Sequence, residues 1–70
     1  MNIAQQIKVA NTISTENGDI LCVNSIMVEA ESLAVDVNND WDYELTTYIF
    51  ADLSVLCVSG NEVNVYGANS

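Results

Sequence analysis

The run Asn38-Asn39-Asp40-Trp41-Asp42-Tyr43-Glu44-Leu45 alternates carboxylates with apolar residues and holds no base. Two chemistries are open to it. The first is cation binding. Counted from Asp36, the residues Asp36, Asn38 and Asp40 stand at positions one, three and five of an EF-hand loop. The match then breaks: position six needs a glycine for its sharp turn and is Trp41, and position twelve needs a bidentate glutamate and is Thr47. No dedicated metal site is expected. The second chemistry is recognition through charge. If 40–45 is extended, Asp40, Asp42 and Glu44 share one face, and Trp41, Tyr43 and Leu45 share the other. The apolar side then anchors the strand to a core. The carboxylates stand outward at about twice the ~3.3 Å strand rise, comparable with successive phosphates along a nucleic-acid strand.

The rest of the chain gives these acids no partner. Ten Asp and Glu face one base, Lys8, for a net charge of −9. Small soluble domains sit comfortably at a magnitude of about 2–8 with both signs interspersed. Here the acids repel one another at a cost in folding free energy. Six of the ten fall within 29–44: Glu29, Glu31, Asp36, Asp40, Asp42 and Glu44. Glu16, Asp19, Asp52 and Glu62 sit at turn signals, where acids are ordinary. Two explanations of the cluster stay open. One is solubility together with protection of a sheet edge. The other is a basic partner whose phosphate-binding groove the carboxylates occupy, with association steered by charge.

Several functions are disfavoured by composition. The chain has no His and no Arg, which removes the commonest general base, the commonest transition-metal ligand and the fork that grips phosphate. Gly18, Gly60 and Gly67 are isolated and make no phosphate loop. A nucleophile triad lacks its base. The chain reads as non-enzymatic, with no cofactor. Phosphate contacts need cations, so direct binding to nucleic acid or to an anionic membrane surface is opposed. Cys22 and Cys57 lie in apolar runs and read as buried thiols of a reducing compartment. With no leader-like or long apolar run, the expected location is the cytoplasm.

The elements that must position the acids belong to one small domain, 1–70, of α+β class. A helix is expected near 3–13, capped by Asn2, with Ile3, Ile7, Ala10 and Ile13 at helical spacing. Asn17-Gly18 marks a turn. The apolar positions 20, 23, 27, 30, 34 and 37 fit one stripe, which favours a helix over 25–36 capped by Ser25 and preceded by a short helical or extended piece at 19–23. The β-branched content of "ILCV" and "LAVDV" favours strands instead. Three β-rich runs at about 43–50, 54–59 and 62–66 predict an antiparallel meander, with Gly60-Asn61 as its second turn. The N-terminal helical part, 3–37, would cover one face of this three-stranded sheet.

In size, charge and element order the chain resembles the small acidic phage-encoded anti-CRISPR proteins, in particular the DNA mimics that act on type I surveillance complexes. The resemblance spans the whole chain and rests on no short motif. It implies a stoichiometric inhibitor, residing in the host cytoplasm, that blocks DNA or PAM recognition by a basic Cas subunit. By role, Glu29, Glu31, Asp36, Asp40, Asp42 and Glu44 would supply the charge and Trp41 and Tyr43 the positioning. A monomer or weak dimer is expected. The rival reading is an interaction module that pairs through its sheet edge, using Tyr48, Phe50, Val63 and Val65.

Overall fold

The computed structural model describes residues 1–67. The chain runs α1 (Ile3–Ala10), β1 (Thr12–Thr15), β2 (Gly18–Leu21), α2 (Val23–Leu33), β3 (Asp36–Asp40), β4 (Leu45–Ile49), β5 (Val55–Ser59) and β6 (Glu62–Tyr66). It is α+β, but the three-stranded meander under an all-helical N-terminal half is overturned. The described strands form a two-stranded sheet, β1-β2, and a four-stranded antiparallel sheet in the order β3-β4-β5-β6.

The corrections have local causes. Helix α1 starts where Asn2 caps it, with a reciprocal capping box between Asn2 and Gln5. It stops at Ala10 rather than at residue 13, because Asn11 Nδ2 donates to the Ile7 carbonyl and Thr12 Oγ1 to the Lys8 carbonyl, closing the last turn. The β-branched run after it then pairs across the Glu16–Asn17 turn, setting Ile13 opposite Ile20. Gly18, at φ 116°, takes a left-handed conformation there.

Helix α2 begins at Val23, with Cys22 as its N-cap and no side-chain cap bond, so Ser25 lies inside the first turn. Its inward stripe is Val23, Ile26, Met27 and Ala30. The helix ends before Val35, whose amide donates to the Ile49 carbonyl at 2.8 Å and leads into β3. Residues 36–40 thus form the fourth strand of the sheet, where a helix end had been expected.

The core lies between the helices and one face of the larger sheet. Ala4, Ile7, Ile26 and Ala30 meet Tyr48, Phe50, Leu56, Val58 and Val63. Helix α1 packs on β5 and β6, and α2 packs on β5. Tyr48, Phe50 and Val63 are therefore buried core, and Val65 packs against it, so the side chains named by the rival reading face the helices, although β6, which carries Val63 and Val65, is itself an edge strand. The register puts Asp36, Ile49, Val55 and Tyr66 in one row across the opposite face, then Asn38, Thr47, Cys57 and Asn64, then Asp40, Leu45, Ser59 and Glu62. None of these residues is fully buried.

Candidate partner-binding surface

The acids nearest the hairpin are placed by the β3–β4 connection. Asp40 pairs with Leu45, so Trp41–Glu44 form the loop between the strands. One oxygen of Asp40 accepts the Asp42 amide at 3.1 Å, which shapes the entry to the loop. Glu44 leaves it at φ 51°, a left-handed conformation that costs a non-glycine residue about 1–2 kcal/mol.

The extended run over 40–45 is therefore absent, and with it the division into an anchored apolar face and an outward acidic one. Trp41 is 86% exposed and Tyr43 75%. Neither anchors anything to the core; both project from the hairpin end. The carboxylates are distributed around them. Asp40, Trp41 and Asp42 border a shallow depression with Asn38, Asn39, Leu45 and Thr47. Asp40, Trp41 and Glu44 border a second with Asn39, Leu45 and Thr46. Asp40 and Trp41 belong to both, while Asp42 and Glu44 each belong to one.

The other expected site residues are further off. Asp36 stands at the opposite end of β3, on the same side of the strand as Asp40 and four residues away, about 13 Å along an extended chain. Glu31 lies close enough to Tyr48 for its charge, after burial, to help push the phenol up. Glu29 borders a separate depression on the outer side of α2, with Val28, Ser32 and Leu33. The structure thus brings Asp40, Trp41, Asp42, Tyr43 and Glu44 together on one hairpin. Asp36 extends that surface along β3, and Glu29 does not join it.

Asp36, Asn38 and Asp40, the EF-hand-like residues, lie along an extended strand. Successive same-face side chains there are about 6.6 Å apart, too far for three to close on one calcium at ~2.3–2.6 Å. Among the described residues no group of three or more Cys, Asp or Glu is arranged to hold a metal ion. Cys22 and Cys57 are both free thiols and only half-buried.

Asp52 has a structural role. Its carboxylate accepts the Ile3 amide at 2.8 Å and the Ser54 amide at 2.9 Å, and also the Ser54 hydroxyl. The Ser54 oxygen in turn accepts the Ala4 amide at 3.2 Å. With Asn2 holding the Gln5 amide at 2.8 Å, all three leading N–H groups of α1 are satisfied by side chains. The Ser54 hydroxyl, then the Ile3 and Ser54 amides, hold the Asp52 carboxyl below its usual range. The Asp-x-Ser spacing at 52–54 is the sequence signal that marks such a self-bonded turn.

No family model, curated protein or solved structure matches this chain. None of the described helices is long and apolar enough to cross a membrane.

Proposed function

We propose that the protein is a non-enzymatic inhibitor that presents its acidic hairpin end to a basic nucleic-acid-binding groove of another protein, as a DNA mimic does. The observation that carries this reading is the exposure of Trp41 and Tyr43 among Asp40, Asp42 and Glu44. Aromatic side chains this exposed are the kind that anchor interfaces, and the surrounding carboxylates select a cationic counterpart. The resemblance to anti-CRISPR proteins makes the DNA- or PAM-reading Cas subunit of a type I surveillance complex the first target to assay. The protein acts in the cytoplasm of the cell that holds this target and binds it without touching nucleic acid or membrane itself.

The test pairs charge reversal with truncation. Asp40→Lys with Asp42→Lys abolishes binding to the target while leaving the circular dichroism spectrum unchanged, since both residues lie at the solvent-exposed hairpin. Trp41→Ala weakens binding by about 2 kcal/mol, the scale of an interface anchor. Wild-type binding falls steeply as salt rises. Affinity indifferent to both salt and charge reversal would sink the reading.

A further inference from the structure

Strand β3 is an uncovered edge. Among the described residues it pairs with β4 alone, and all five of its residues are exposed, including Val37 at 38%. Of the devices that usually blunt such an edge it has no proline and no lysine, and its only charges are the carboxylates at its two ends. Its middle, Val37-Asn38-Asn39, is uncharged, and its two ends carry Asp36 and Asp40 on the same side of the strand.

That charge arrangement decides which strand can occupy the edge. A second copy pairing two-fold and antiparallel about Asn38 would set each Asp36 against the other's Asp40, placing like charges directly opposite twice. A strand with cations at those two positions would turn both repulsions into attractions. Trp41 follows Asp40 immediately and is 86% exposed, so a cation opposite Asp40 also has an indole face within reach of its neighbour.

We propose that β3 receives an extended basic segment of the partner as an added strand. Lysine or arginine residues four positions apart lie opposite Asp36 and Asp40, with a small polar residue between them opposite Asn38. This rests on the reading above that the partner is basic, and it adds the mode of contact: main-chain pairing at a sheet edge, with the acidic hairpin closing over one end.

The probe is the capped heptapeptide Ser-Lys-Val-Thr-Val-Lys-Ser, titrated into the full chain while amide spectra are recorded. Shifts are expected to concentrate on β3 and Trp41, and hydrogen exchange of β3 amides is expected to slow. Exchanging each lysine for glutamine weakens binding by about two- to fivefold. Two N-methylated peptides of unchanged charge, blocking alternate amide sets, separate pairing from attraction: one of them loses binding. The Asp36→Lys/Asp40→Lys variant, if folded, prefers the same peptide carrying glutamates. If both methylated peptides bind as well as the parent, strand addition is overturned while the basic-partner reading stands. If no lysine peptide binds but a basic nucleic-acid-binding protein still does, strand addition is overturned in the same way. If light scattering finds a dimer whose β3 amides are already protected, the occupant is a second copy and the proposal fails.

Discussion

Asp52 and the hairpin acids carry the same charge and have opposite effects on folding. Asp52 is tied to Ile3 and Ser54, and these bonds hold its carboxyl below the range it has in an unfolded chain. A carboxyl depressed in the folded state contributes stability that is present above its unfolded pKa. That contribution is lost as pH falls through the lower, folded value. Asp52→Asn should therefore lower the urea midpoint at pH 7, and the gap from wild type should close as pH is taken below the ordinary carboxylate value near ~4 towards the lower, folded one. A gap that persists at the lowest pH would mean that the bonds matter and the charge does not. Among the described residues the hairpin acids have one such support, the Asp42 amide donating to an Asp40 oxygen. Their position was legible in the sequence, but their arrangement was not. Alternation of Asp40, Trp41, Asp42, Tyr43 and Glu44 is what a half-buried strand looks like, and it is equally compatible with a four-residue loop, because a loop exposes every side chain whatever its polarity.

At the scale of elements, the N-cap of α1, the Gly60-Asn61 turn and the last strand, 62–66, could be read from the residues. These are places where local chemistry decides. What could not be read was the competition between periodicities. Positions 20, 23, 27, 30, 34 and 37 make a passable helical stripe, yet Ile20 pairs with Ile13 and Val37 with Tyr48. Tertiary pairing overrode the local pattern at both ends of α2, where β-branched residues accumulate. The junction of α1 with the end of β6 gives a second test. A Cβ at residue 67 would clash with Asn2 Nδ2, an atom that is buried without a hydrogen-bond partner among the described residues. Gly67→Ala should cost about 1–3 kcal/mol through overpacking. In an Asn2→Ser background, which keeps the capping oxygen and removes the amide, the same substitution should cost distinctly less. Additive effects in this double-mutant cycle would show that the close approach is not what makes glycine necessary there.

For the whole molecule, size and charge act together. The principal extents are 35 × 29 × 19 Å. The Debye length is about 30 Å at 0.01 M salt and about 3 Å at 1 M, so at low salt each acid feels most of the others and at high salt almost none. Raising salt should therefore raise the melting temperature, by about 4–8 °C for each kcal/mol of repulsion screened in a domain of this size. The same salt should weaken partner binding. Stability and affinity moving in opposite directions is the signature of unpaired like charge kept for a cationic counterpart. If both fall together, ion pairs within the fold matter more than the repulsion.

The two thiols lie on different parts of this fold. Cys57 sits in the middle of the sheet face turned away from the helices, between Thr47 and Asn64, while Cys22 marks the junction between the small hairpin and α2. Both are half-buried. The molecule thus carries its own pair of footprinting tags. The ratio of alkylation at the two sulfurs, read by mass spectrometry with and without a bound protein, reports which side has been covered, with one cysteine serving as the internal standard for the other.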